Sequence, residues 1–338
     1  AADADDAESL ILTDGTEEYP LQKTEDGMIA VLSGMPARGW KVLKVKQQDD
    51  KSDDTGVKAE EKDFSVTSSV VETPYFHVEI NERGQFTGIY DKKAGREIIP
   101  EGKEANVLVT YEDRPHNFDA WDINNYYTEK SWRVDDVSSI EVTENGPVRG
   151  CIRITRHYLD SVIVQYIYFY RDLYQIDIRN EIDWKEDHIL LRDYFPVDIH
   201  TDEARFEIQY GNVKRPTHYN TSWDFAKFEV CSHKWLDVSE GDYGVSFLND
   251  CKYGYSVHDG VVGMSMLKSA TYPNPDADKE HHSFWYGICP HSGDYTEGNT
   301  IAKAYMFNNP YRAVLKDKTG NGMKELESYV MSSASDVV

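Results

Sequence analysis

Leu173-Tyr-Gln-Ile-Asp-Ile-Arg-Asn-Glu-Ile-Asp-Trp184 decides the fold. Tyr174, Ile176, Ile178, Ile182 and Trp184 share one parity, while Asp177, Arg179, Glu181 and Asp183 share the other. A period of two with one apolar and one polar face is the signature of a strand in a sheet that is wet on one side. Two further stretches rich in Ile, Val and Tyr, Arg149 to Leu159 and Val162 to Tyr170, precede it with turn residues between them. The three read as consecutive antiparallel strands.

Working outward, Asn81-Glu-Arg-Gly84 lies between Tyr75 to Ile80 and Gln85 to Tyr90. This is a hairpin signal in which Gly84 supplies a positive φ. Periodicity near 3.6 is absent until Met323 to Tyr329, a stretch too short to organise a domain. Lys46 to Lys62 is polar, charged and nearly free of aliphatic or aromatic residues, as a linker is. The expected organisation is all-β, with a small β-sandwich module and linker over 1–62 and a large antiparallel supersandwich over 63–338. No fixed-period repeat points to a solenoid or propeller.

The 36 basic and 60 acidic residues give a net charge of −24, which repels nucleic acid and anionic membranes. No apolar run of about 18 residues could span a bilayer, and Ala-Ala-Asp-Ala-Asp-Asp at the start has no signal-peptide pattern. Cys151, Cys231, Cys251 and Cys289 are scattered without a Cys-x-x-Cys pair, which fits a reducing, cytoplasmic setting.

Asp113-Arg-Pro-His-Asn-Phe-Asp-Ala-Trp-Asp-Ile-Asn-Asn-Tyr-Tyr127 mixes acids, amides and aromatic rings without alternation. Sugars call for that mixture, because carboxylates and amides bind hydroxyls while a flat ring covers a pyranose face. Carbohydrate is therefore the expected ligand class. The plainer reading of Asp119, Trp121 and Asp122 is a polar turn with the indole docked in the core. For Arg215 it is a structural ion-pair partner at a strand end. His281, His282, Cys289 and His291 resemble a zinc set only superficially, since adjacent histidines on a strand face opposite ways. Asp276, Asp278 and Glu280 lack the glycine and terminal acid of a calcium loop. No nucleophile elbow, P-loop or dinucleotide fingerprint is present.

Several segments together resemble the C-terminal half of family 38 glycoside hydrolases, the α-mannosidases, in the bacterial and fungal vacuolar branch. They are Met35-Pro-Ala-Arg-Gly-Trp40, Phe76 to Asp91 with Ile89-Tyr-Asp-Lys92, Asp119-Ala-Trp-Asp122 and Arg215-Pro-Thr-His-Tyr-Asn-Thr221. Phe228-Glu-Val230, Gly244 to Asp250 with Lys252-Tyr-Gly254, Tyr272-Pro-Asn-Pro-Asp276 and Pro290-His-Ser-Gly293 follow in the family's order.

The resemblance implies a galactose-mutarotase-like supersandwich and a place after an N-terminal α/β domain and a helical bundle. It also implies that the aspartate nucleophile and the ligands of a zinc ion lie in that N-terminal domain, since no position here matches those motifs. No catalytic residue and no cofactor is then expected in this chain. Its partners would be mannose-containing glycans and its own N-terminal catalytic and helical domains, with room for a homo-oligomer. By the same resemblance, Asp119, Trp121 and Asp122 reach over the bound sugar, with Arg215 as a further contact. Phe118 stands where relatives commonly carry Trp, and so lacks an indole N–H. The alternatives are a carbohydrate-binding module acting through Trp121, Trp223 or Trp285, and an aldose 1-epimerase using a His acid and a Glu base.

Overall fold

The computed structural model describes residues 10–36, 39–47, 63–315 and 326–328. Two large antiparallel sheets dominate. In the nine-stranded sheet the order is Asp136–Asn145, Arg149–Tyr158, Ser161–Tyr170, Ile176–Asp183, His281–Ser292, Tyr243–Asn249, Trp235–Ser239, Glu203–Ile208 and Gly211–Pro216. In the six-stranded sheet it is Ser131–Arg133, Val107–Glu112, Ile189–Pro196, Val261–Lys268, Gly254–His258 and Val230–Cys231. Phe195 of the smaller sheet packs against Phe247 and Tyr286 of the larger, with ring centroids 5.7 and 6.0 Å apart. One apolar core joins both sheets, so the molecule is the expected all-β supersandwich.

The parity of 173–184 holds except at Asp177, which lies on the polar face yet is buried, its carboxylate accepting from Tyr170 Oη at 2.7 Å. Ile176, Ile178, Ile182 and Trp184 are all fully buried, whereas Asp183 is exposed and Arg179 and Glu181 are half-buried. Asn180 shares the inward parity and is also buried. It belongs to a polar row that crosses three neighbouring strands with Gln165 and Arg156. Gln165 Nε2 donates to Asn180 and Asn106 Oδ1, each at 3.0 Å, and Arg156 Nη1 donates to Gln165 Oε1 at 2.5 Å. Arg156 Nη2 donates to the carbonyls of Arg83 and Gly84 at 3.0 and 2.9 Å. The hairpin of Phe76–Ile80 and Phe86–Asp91, part of a five-stranded sheet, is thereby tied to the large one.

The N-terminal strands form a three-stranded sheet of Glu18–Pro20, Leu10–Thr13 and Lys44–Gln47, beside the pair Gln22–Thr24 and Gly27–Ile29. Buried Gln22 docks them on the large domain. Its Oε1 accepts from the amides of Val148 and Arg149 at 2.9 and 2.8 Å, and its Nε2 donates to Arg149 O at 2.9 Å. Gly39–Lys41 pairs with Leu326–Ser328, so the helix-like spacing at Met323 to Tyr329 yields, where described, a strand. Sheet pairing across some 285 residues of chain overrides so weak a local preference. Most of the linker-like stretch, 48–62, lies outside the described residues, as do Ala37, Arg38 and 316–325.

The nine-residue helix Thr300–Asn308 was not expected. It covers part of the outer face of the nine-stranded sheet, where Ala304 meets Trp235, Leu248 and Cys289.

Gly84 takes φ +69°, and a Cβ there would lie 2.7 Å from Arg156 Nη2 and 2.8 Å from Ile154 Cγ2. Gly95 has a similar φ of +71° but only Tyr90 Oη, 3.9 Å away, nearby. Gly84→Ala should therefore lose about 2–4 kcal/mol, through backbone strain and overpacking together. Gly95→Ala should lose about 1 kcal/mol, from the backbone alone. Urea denaturation midpoints of the two variants check this, and equal losses would refute the steric part.

Candidate functional site: an aromatic ledge on the six-stranded sheet

The acid- and ring-rich segment 113–127 follows Val107–Glu112 and runs across the end of the six-stranded sheet. Buried Asp113 begins it. Its amide donates to His188 O at 2.7 Å and its carboxylate pairs with the Lys268 ammonium. Burial raises the pKa of Asp113 even against Lys268.

Phe118 adopts a left-handed φ of 58°, and its carbonyl accepts from the amides of Trp121 and Asp122 at 3.0 and 2.9 Å. This tight turn throws two rings outward. Phe118 and Trp121 stack at 5.5 Å and 18°, and remain 62% and 70% exposed. The docked-indole reading fails for Trp121, which leaves the C–H-binding face of both rings open.

Asp119 does a different job. Its Oδ2 accepts from the amides of Thr271 and Tyr272 at 2.7 and 3.2 Å and lies 3.4 Å from His188 Nε2. Burial works to raise its pKa, but the Thr271 amide, His188, the Tyr272 amide and Lys268 outweigh it and hold the carboxyl below the usual range. Asp119 is thus a brace between two loops. The half-exposed carboxylate of Asp122 has no hydrogen-bond partner among the described residues, so it is free to accept from a ligand hydroxyl.

Below the ledge, Tyr127 packs edge-on against Tyr111 at 5.0 Å, and its hydroxyl accepts from Arg192 Nη1 at 2.6 Å. Fully buried Arg192 also pairs with Glu229 and donates from Nη2 to Ser256 Oγ at 2.7 Å. Sequence reasoning missed this floor. Its one signal was Glu229 between two apolar residues in Phe228-Glu-Val230.

Arg215 is not brought to the ledge. Its Nη1 donates to Cys231 O at 2.9 Å and its guanidinium lies 4.7 Å over the Phe206 ring. No hydrogen bond, ion pair or ring contact joins it to Asp119, Trp121 or Asp122. Trp223 is 82% exposed on the short helix Ser222–Phe225. Trp285 lies half-buried on the nine-stranded sheet, stacked on Tyr168 at 5.2 Å. The three tryptophans therefore form no single platform.

The zinc ion implied by the resemblance finds no donor set here. Among the described residues no group of three or more His, Cys, Asp or Glu side chains could hold a metal. His281 meets Glu181 at 2.6 Å, His282 the Asp278 carbonyl at 2.8 Å, and the Cys289 thiol donates to Gln175 Oε1 at 3.1 Å. Between the sheets, a cavity lined by Asp193, Phe195, Phe247, Tyr255 and Tyr286 measures about 10 Å³. It is the size of a single water site and has no room for a sugar ring.

Residues 71–276 match the model of the glycosyl hydrolases family 38 C-terminal domain, and the chain belongs to that family. It is 36% identical over 260 residues to alpha-mannosidase G of Dictyostelium discoideum, covering 74% of this chain and 24% of that protein. It is 34% identical over 266 residues to human alpha-mannosidase 2C1, covering 75% and 24%. The chain thus spans about a quarter of the length of these curated relatives. A family 38 glycosyl hydrolase structure from Enterococcus faecalis shares the fold, with TM-score 0.71 and 15% identity, over 95% of this chain and 43% of that one.

The depressed pKa of Asp119 fixes the sign of a pH effect. The brace is complete at neutral pH and is lost as pH falls below the ordinary carboxylate range and through the lowered value. At neutral pH, Asp119→Ala should speed hydrogen exchange at the Thr271 and Tyr272 amides about tenfold or more, consistent with losing a charge-assisted bond of ~1.5–3 kcal/mol. Amides of Ile176–Asp183 should be unaffected. Exchange followed by NMR decides, and an unchanged rate at Thr271 would remove the brace.

Proposed function

We propose that this chain is the β-rich C-terminal part of an α-mannosidase that hydrolyses terminal α-mannosyl residues of glycans, forming one wall of the active site. It would also stabilise the catalytic and helical domains that precede it in such an enzyme. One observation carries the reading: the stacked, open Phe118 and Trp121 rings stand beside the unpartnered Asp122 carboxylate on a turn braced from beneath. Rings and a free acceptor so placed can hold a hexose, and the braces fix them before it arrives.

The same geometry argues for a holding role. A retaining glycosidase needs two carboxyl groups about 5 Å apart on either side of the scissile bond. On this ledge Asp119 is committed to backbone amides and Asp113 to Lys268, which leaves Asp122 alone. The nucleophile, its acid partner and the zinc site belong, in this reading, to the remaining three quarters of such an enzyme. That the matched relatives are named α-mannosidases supports mannose as the sugar. Free thiols at all four cysteines are consistent with a reducing compartment.

The 338-residue chain alone should turn over an aryl α-mannoside at no measurable rate, and activity should appear only with the preceding domains attached. In that full-length enzyme, Trp121→Ala should lower kcat/KM at least tenfold, about 1.4 kcal/mol of transition-state binding, with the melting temperature unchanged. Hydrolysis by the isolated chain at a rate near that of the complete enzyme would overturn the proposal. Tight glycan binding by a full-length protein that shows no turnover would favour the binding-module reading instead.

A further inference from the structure

Where the buried polar row crosses from the nine-stranded to the six-stranded sheet, its hydrogens do not match its acceptors. Tyr286 Oη lies 2.6 Å from Asp193 Oδ2 and 3.2 Å from Asn106 Oδ1, and all three residues are buried. A hydroxyl brings one hydrogen and cannot donate fully to two oxygens.

The orientation of each amide follows from Arg156. A guanidinium only donates, so the atom it meets at 2.5 Å is Gln165 Oε1, and Gln165 Nε2 faces Asn106 and Asn180 at 3.0 Å each. Both must present Oδ1 to that donor. Asn106 Nδ2 is spent on Gly84 O at 3.0 Å and on Gln165 Oε1 at 3.1 Å, so it has no hydrogen left for Tyr286. Burial, with the facing Asp193, raises the pKa of Tyr286, which therefore keeps its own single hydrogen. An ionised Asp193 leaves that one hydrogen for two contacts. A protonated Asp193 supplies the second: it donates to Tyr286 Oη, and Tyr286 donates to Asn106 Oδ1.

The surroundings also disfavour a charge there. Asp193 Oδ1 has no hydrogen-bond partner among the described residues, and Phe195, Phe247, Val262 and Met264 share its cavity. The titratable and charged groups that face Asp193 are Tyr286 on His281–Ser292, Tyr255 on Gly254–His258 and Arg156 on Arg149–Tyr158. Arg156 gives its Nη groups to Gln165 and to the carbonyls of Arg83 and Gly84, and among the described residues it forms no ion pair with Asp193. Burial pushes the Asp193 pKa up to about 7, against the pull of the Tyr286 hydroxyl and the Arg156 charge.

We propose that Asp193 is a proton-operated latch between the two sheets: in mild acid it carries the hydrogen that completes the chain from Asp193 through Tyr286 to Asn106, and in mild alkali it releases that hydrogen to solvent and one of the two bonds opens. The latch does not rest on the mannosidase reading. The next residue on the same strand, Arg192, floors the ledge, so the latch holds the strand beneath the candidate site.

The folded value lies above the ordinary 3.8, so Asp193 favours folding most in acid, and that contribution is lost as pH rises through the window from 3.8 to about 7. In Asp193→Asn the side-chain amide donates to Tyr286 at every pH. Urea unfolding of both chains tests this: the ratio of their unfolding constants, unsubstituted over variant, should grow about tenfold per pH unit between about pH 5 and 7 and level off above. Carbon-13 NMR of the unsubstituted chain, which needs no variant to fold, should show the Asp193 carboxyl titrating near pH 7. A ratio that stays constant across this range, or an Asp193 carboxyl that titrates below about pH 5 with ordinary aspartates, overturns the proposal.

Discussion

A guanidinium buried between sheets constrains this molecule more than any apolar contact does. Arg156 sits on an inward face that is otherwise Ile152 and Ile154, and a side chain that in practice keeps its proton must find acceptors or stay out of the core. It finds them in the Arg83 and Gly84 carbonyls and in Gln165, and Gln165 passes the demand to Asn106 and Asn180. Leaving a buried charge unpaired costs several kcal/mol, so the hairpin at 81–84 and the strands on either side of Gln165 have one admissible register. The apolar core supplies the driving force. The polar row selects which arrangement receives it.

Strand Ile189–Pro196 carries that selection to the surface. Neighbouring residues on a strand face opposite ways, and here both are ionisable. Asp193 points inward and lies 2.6 Å from Tyr286 Oη, with burial pushing its pKa up to about 7. Arg192 points to the other face and gathers Tyr127, Glu229 and Ser256. The strand that closes the inter-sheet network is therefore also the one that floors the ledge. Loops anchored in this way hold a binding geometry better than loops braced only by surface contacts.

What could be read in the sequence follows the range of each interaction. Alternation along 173–184 and the Asn81–Gly84 turn are local, and both appear in the structure, save that Asp177 on the polar face is buried. Even the break at Asn180 in the apolar parity was visible, although nothing nearby in sequence says that Arg156 and Gln165 lie across from it. Gln22 reaching Val148 and the pairing of Gly39–Lys41 with Leu326–Ser328 are long-range and left no local trace. The helix Thr300–Asn308 escaped because Ala304 is its one buried apolar side chain, too little to set a 3.6-residue stripe. At the site, the segment 113–127 was conspicuous by composition, but the division of labour within it was not. Asp119 and Asp122 are the same residue type three positions apart, and only the amides of Thr271 and Tyr272, some 150 residues on, make one a brace and leave the other free.

Charge gives the ledge a further property. A chain of net charge −24 resists the approach of any acidic surface, and desolvating its carboxylates is costly. Phe118, Trp121 and Tyr272, each more than 60% exposed, present ring surface whose burial is favourable, next to the Asp119 carboxylate, which is already solvated by the Thr271 and Tyr272 amides.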